Sequence, residues 1–124
     1  METIKIAIAD DHEMLRQSLT GLLNTLGYEV PIAVESGDKL LTEIKTVKNI
    51  PNVCILDINM PGKNTRTIIK EIKQNWPSVS VIVFSVNEEK TWKKLMLNAG
   101  ADFYLRKNAH PQLLHEIIQY LVKH

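Results

Sequence analysis

The sequence predicts an α/β protein, a doubly wound parallel sheet of five βα units with strand order 2-1-3-4-5. Extended apolar segments alternate five times with segments of helical period, and no low-complexity linker divides the units. Right-handed crossovers between such units place helices on both faces of a parallel sheet. Pro31 cannot donate to a ladder, so the second extended segment belongs at a sheet edge, and that placement favours the stated order.

The first strand is IKIAIA, Ile4 to Ala9, and the helix after it carries Leu15, Leu19, Leu22 and Leu26, with Gly27 suited to closing it. YEVPIAV, Tyr28 to Val34, is the edge strand. Ser36 can cap the next helix, whose stripe is Leu40, Leu41, Ile44 and Val47. VCIL opens the third strand at Val53, and Ile68, Ile69 and Ile72 mark a helix that ends near Trp76 because Pro77 follows. VSVIVFS, Val79 to Ser85, is the fourth strand, and Trp92, Leu95, Met96 and Ala99 stripe a helix closed by Gly100, read as core. ADFYL is the fifth strand, and Pro111 stands near the first turn of the last helix.

At 124 residues the chain is one domain, 1–124, large enough for its own core. Fifteen basic against 14 acidic residues leave a net charge of +1, which gives no long-range field toward nucleic acid or an anionic membrane. Cys54 is the only cysteine, so no internal disulfide is expected, and its apolar surroundings read as a buried site in a reducing cytoplasm. Glu2, Lys5 and Asp10 interrupt any signal-peptide core, and no apolar run reaches bilayer length, so a cytoplasmic protein without a membrane partner is expected.

Open α/β sheets bind ligands beyond the carboxyl ends of their strands, where the strand order reverses. There the first strand offers Asp10 and Asp11, the third Asp57, the fourth Ser85, and the fifth runs through Tyr104 to Lys107. In the order 2-1-3-4-5 these strands are neighbours, so three acids, a hydroxyl and an amine face one pocket. Two carboxylates about 5 Å apart at an effective dielectric of 20 repel by roughly 3 kcal/mol, so three call for a cation or a raised pKa. Magnesium suits best, because it takes oxygen ligands, keeps several waters and uses one or two carboxylates with phosphate oxygens. No His or Cys set has zinc spacing, and His12 adjoins the acids but is a poor magnesium ligand.

With a phosphoryl group held there, Asp57 could attack phosphorus in line to give an acyl phosphate, while Lys107 and Ser85 contact the phosphoryl oxygens. Each residue alone also has a plainer role. Asp11 could cap the first helix, Asp57 and Ser85 could be turn residues, and Lys107 a solvated amine. Their coincidence at the correct ends of four adjacent strands favours one site.

These residues resemble the receiver domains of two-component response regulators over the whole chain, and the NarL/FixJ subfamily most. The resemblance rests on ADDH at the first strand end, LDINMPG around Asp57, VFSV at the fourth strand and AGADFYLRK before the last helix. It implies the flavodoxin-like (βα)5 fold and phosphorylation of Asp57 by a histidine kinase or phosphotransfer protein. It also implies Mg2+ held by Asp10, Asp11, Asp57 and the main-chain carbonyl of Asn59. It implies a switch in which Ser85 turns toward the phosphoryl group and Tyr104 moves inward, changing the face of helix four, strand five and helix five where partners or a second receiver dock. The domain is then a signalling phosphoacceptor and not an enzyme acting on an external substrate. It is expected to touch no nucleic acid itself, to homodimerise when phosphorylated, and to reach DNA through an output domain that this sequence does not include.

The sequence departs from the commonest receiver pattern at several positions. Asn108 stands where many receivers have a proline, so no cis-proline turn is expected after Lys107. Lys63 to Thr65 replaces a frequent Met-Asp-Gly, Phe103 replaces a common glycine, and Val86 is bulkier than the small residue often beside the switch hydroxyl, so slower access to Asp57 is expected. Three other readings share parts of the pattern. A flavodoxin-type cofactor binder needs hydroxyls and free amides where Asp10 and Asp11 stand. A haloacid-dehalogenase-type phosphatase wants a second acid at the position of Asn59. The alternative function is a docking module on a receiver fold that works without phosphorylation, against which the full acid, hydroxyl and amine set argues.

Overall fold

Three strands of this sequence are apolar on both faces, and each therefore needs neighbours above, below and beside it. The computed structural model describes residues 3–58, 64–85 and 90–123. Its elements run β1 (Lys5–Ala9), α1 (Glu13–Thr25), β2 (Glu29–Val34), α2 (Gly37–Thr46), β3 (Val53–Asp57), α3 (Thr65–Asn75), β4 (Ser80–Ser85), α4 (Lys90–Ala99), β5 (Phe103–Arg106) and α5 (Pro111–Lys123). The five strands form one parallel sheet in the order β2-β1-β3-β4-β5, as expected.

Side-chain alternation splits the core in two. Ala7, Ala9, Cys54, Leu56, Val81 and Val83 face α2, α3 and α4, whereas Ile6, Ile8, Val53, Ile55 and Ile82 face α1 and α5. β3 is buried at all five residues, Asp57 included, so the sheet's most enclosed strand carries an acid at its carboxyl end.

Local signals set the ends of the elements. Ser36 Oγ accepts from the Lys39 N–H at 3.2 Å and caps α2. Asn64 does the same for α3 through Thr67 N–H at 3.0 Å. Gly27 and Gly100, with φ of +95° and +120°, take the left-handed conformation that ends α1 and α4. β2 lies at the edge, and around Pro31 it carries one more residue than β1, with Lys5 opposite Glu29 but Ala7 opposite Ile32.

One alternative is excluded and two sequence expectations need correction. The first helical residue of α1 follows His12, which occupies the N-cap without a side-chain cap bond, so Asp11 is not the cap. In α1 the fully enclosed leucine is Leu23, while Leu15 is 46% exposed. Trp92, read as core, is 39% exposed, because α4 lies toward β5, the last strand, where less sheet is available to cover a helix; Met96 alone is buried in α4.

Candidate functional site

The carboxyl ends of β1, β3 and β4 are adjacent in the sheet, and the chain leaving β5 brings Lys107 to them. Asp10 and Asp57 are 5% and 4% exposed, and Ser85 is fully buried. Asp57 is in register with Phe84, one residue before Ser85, and the Lys107 N–H donates to the Ser85 carbonyl at 2.8 Å. That backbone bond ties the start of the β5–α5 turn to the end of β4. It aims the Lys107 side chain inward, where Nζ lies 3.2 Å from Asp57 Oδ1 and 3.3 Å from Asp10 Oδ2.

The second carboxylate oxygen of Asp10 is also used. Oδ1 accepts the His12 N–H at 2.9 Å, fixing the turn that carries Asp11 and His12 into α1. Arg16, one turn into α1, donates to the Asp10 carbonyl at 2.6 Å. One ligand atom from each of Asp10, Asp11, His12 and Asp57 falls within a span of 4.8 Å.

The donor set fits magnesium. Three carboxylates against the single Lys107 ammonium leave a negative excess among these side chains, and their oxygens are hard donors gathered at ionic spacing. Asp10, Asp11 and Asp57 are the described residues that would hold the ion. Asn59, expected to add its carbonyl, lies outside the described residues, as does Val86.

The other expected residues divide. Lys107 contacts Asp10 and Asp57, and Asp11 lies in the same cluster as those two acids. Ser85 stands at the adjacent strand end. Tyr104 stands apart, paired with Val83 in the sheet, half-buried against the α2–α3–α4 core, and lining a hollow of about 250 Å³ with Lys90, Lys93 and Arg106.

One contributor was not read from the sequence. Thr65, 3% exposed at the first residue of α3, directs its hydroxyl at the carbonyls of Asp57 (3.0 Å) and Ile58 (2.8 Å). The single O–H is shared between them, and it anchors the backbone on the far side of Asp57. The signal available in the sequence is a hydroxyl eight residues after the acid, directly behind the helix-capping Asn64, within the segment that replaces a frequent Met-Asp-Gly.

On the other side of the sheet, a cleft of about 180 Å³ between α1 and α5 opens at Asp10 and Lys107. Leu15, Leu19, Leu22 and Leu114 line it, which accounts for the exposure along α1. Among the described residues no helix is long and apolar enough to cross a membrane.

Comparison with known proteins agrees with this geometry. The response regulator receiver domain family matches residues 6–119. The response regulator GacA of Pseudomonas protegens is 31% identical over 117 residues, covering 94% of this chain and 53% of that protein. The chain thus spans about half the length of the curated relatives it matches. A CheY-like receiver domain protein of Methanospirillum hungatei superposes with a TM-score of 0.88 at 25% identity, over 98% of this chain and 95% of that one. A LuxR-family DNA-binding response regulator of Staphylococcus aureus gives 0.87 at 27% identity, over 96% and 98%. An acid cluster with one lysine between its two buried members, at the carboxyl ends of a 2-1-3-4-5 sheet, is the arrangement that serves magnesium-dependent aspartate phosphorylation in signalling. The chain belongs to the response regulator receiver domain family.

Proposed function

We propose that Asp57 is the phosphoacceptor of this receiver, which occupies the whole chain, and that Asp10, Asp11 and the Asn59 carbonyl complete its magnesium site. The observation that carries the reading is the Lys107 ammonium between Asp57 and Asp10, which places a fixed cation where phosphoryl charge develops. Bound magnesium supplies charge neutralisation and oriented phosphoryl oxygens. An Asp57 carboxylate oxygen attacks phosphorus as the bond to the donor, a phosphohistidine nitrogen or acetyl phosphate oxygen, breaks. The new bond is an acyl phosphate, and the donor atom leaves with the electron pair. Lys107 holds one phosphoryl oxygen, and the Ser85 hydroxyl donates to another.

The phosphoryl group adds roughly −1.5 to −2 charges, which biases a two-state equilibrium in which Ser85 and Tyr104 move together. Tyr104 lies on β5 beside α4, so its movement alters the α4–β5–α5 surface, on which a partner or a second phosphorylated copy docks. A histidine kinase or phosphotransfer protein supplies the phosphoryl group, which the family relationship implies. The relatives are about twice as long, and the S. aureus neighbour is described as DNA-binding, which supports a transcriptional output in the natural protein.

The test is intact-mass spectrometry after incubation with acetyl phosphate and magnesium. One added phosphoryl group is expected in the wild type and none in Asp57→Asn. A wild type that gains nothing and shows no spectral response to beryllium fluoride overturns the reading.

A further inference from the structure

The net charge of +1 hides an uneven distribution. The ten residues of α4 hold three lysines, Lys90, Lys93 and Lys94, and no acid. All three are exposed, and among the described residues no carboxylate pairs with any of them. Asp102, the acid at the entry to β5, is committed elsewhere, to Lys73 Nζ at 2.9 Å and the Val81 N–H at 2.8 Å. Lys90 and Lys93, one helical turn apart, line the hollow of about 250 Å³ with Tyr104 and Arg106 of β5, so three cations and a phenol form its walls. A second hollow of about 390 Å³ continues along α4 past Lys94 to Leu97, which is exposed like Trp92.

We infer that this α4–β5 surface docks an acidic segment of a partner protein, with a carboxylate side chain seated in the hollow beside Tyr104. The inference deepens the proposed docking face and rests on that reading. Charge beyond about 8 Å is screened at physiological salt, so the local cluster decides what is attracted and the whole-molecule balance does not. Two ammonium groups and a guanidinium around one hollow offer a carboxylate charge-assisted hydrogen bonds.

The same charges disfavour other occupants. A second copy meeting this surface symmetrically would set Lys90, Lys93, Lys94 and Arg106 against the same four residues, and like charges across an interface oppose pairing. A long polyanion or an anionic bilayer would reach past the patch, because β5 leads from Arg106 to Lys107 and the neighbouring strands end in the acid cluster of Asp10, Asp11 and Asp57. A short acidic segment covers the cations without reaching those acids, and apolar side chains between its carboxylates can cover Trp92 and Leu97.

The experiment uses fluorescence anisotropy of a labelled glutamate-rich peptide of about a dozen residues, with the unphosphorylated protein and no magnesium. Lys93 and Lys94 carry the test, because Glu88 and Glu89 adjoin Lys90 in the sequence. The double variant Lys93→Glu with Lys94→Glu is compared with Lys45→Glu with Lys48→Glu, which makes the same change in net charge on and beside α2. The peptide should bind the wild type more weakly as salt rises. The α4 variant should lose affinity at least about tenfold and the α2 variant less than about twofold. Equal losses in the two variants, or no binding to the wild type, overturn the inference. So does tighter binding of a thymidine oligonucleotide or of phosphatidylserine vesicles through the same lysines, which would assign the surface to nucleic acid or membrane. A dimer formed with beryllium fluoride and magnesium that the α4 variant abolishes would assign it to a second copy and overturn it too. Acetyl phosphate labelling of Asp57 reports separately on the phosphoacceptor reading, which stands if labelling persists while peptide binding fails.

Discussion

Lys107 Nζ lies 3.2 Å from Asp57 Oδ1 and 3.3 Å from Asp10 Oδ2, so one ammonium serves two buried carboxylates from different strands. Without it both acids stay desolvated and repel each other. Lys107→Met is expected to destabilise the magnesium-free protein by about 1–3 kcal/mol near neutral pH, measured by urea unfolding. Magnesium should recover part of the loss. An unchanged midpoint would show that Lys107 does not share these charges in solution.

Removing an acid has the opposite sign. Three carboxylates gathered for function oppose folding when no metal is bound, so Asp57→Asn should stabilise the apo protein by about 1–2 kcal/mol. Magnesium at a hundredfold excess over its Kd should stabilise the wild type by about 2.7 kcal/mol and the variant by much less. Thermal melts of both proteins with and without magnesium decide it, and equal magnesium shifts would remove Asp57 from the ligand set.

Thr65 tests whether the support behind Asp57 matters. Its hydroxyl reaches the Asp57 and Ile58 carbonyls at 3.0 and 2.8 Å, and valine keeps the shape while losing the donor. Thr65→Val should cost about 1–2 kcal/mol and slow phosphorylation from acetyl phosphate while magnesium affinity stays close to wild type. Thr65→Ser should restore the rate. A valine variant as fast as wild type would make Thr65 a stability residue alone.

The fold was legible because its dominant signals are periodic and local. Pro31, Gly27, Gly100, Ser36 and Pro111 each act within a few residues of themselves, and each stands where it was expected. The acid set was legible because strand order converts distant positions into neighbours, and Asp10, Asp57 and Lys107 need only that order to meet. Thr65 was not legible, because its role depends on how the chain returns between β3 and α3. Trp92 was misread because helical spacing reveals a stripe and not whether the sheet extends beneath it; the core claims Met96 and leaves Trp92 at 39% exposure. The apolar residues of α1 were likewise assigned to a core when several line an open cleft against α5.

Gly37 reports on how closely α2 meets α3. A Cβ placed there would lie 2.5 Å from Ile68 Cγ1 and 2.8 Å from its Cδ1, and Ile68 is fully buried. Gly37→Ala should therefore destabilise by about 1–3 kcal/mol through overpacking, despite alanine's better helix propensity. Combining it with Ile68→Val should recover part of that loss. Recovery would appear as a non-additive pair in urea unfolding.

Cys54 gives a pH dependence whose sign follows from burial. The thiol is enclosed in β3, and desolvation of the thiolate pushes its pKa from an ordinary 9.0 up to about 12. Between those values the folded chain keeps a proton that the unfolded chain has released. The folded-state advantage is therefore whole below pH 9 and is lost as pH rises toward 12. From about pH 8.5 to 10 the wild type should lose about 1 kcal/mol more than Cys54→Ala, which removes this group while other alkaline titrations continue in both proteins. Thiol reagents at neutral pH should label Cys54 only at the rate of unfolding, since neither the thiolate nor access is available in the native sheet. Parallel alkaline slopes for the two proteins, or rapid native-state labelling, would place Cys54 in contact with solvent and contradict its enclosure beneath α2 and α3.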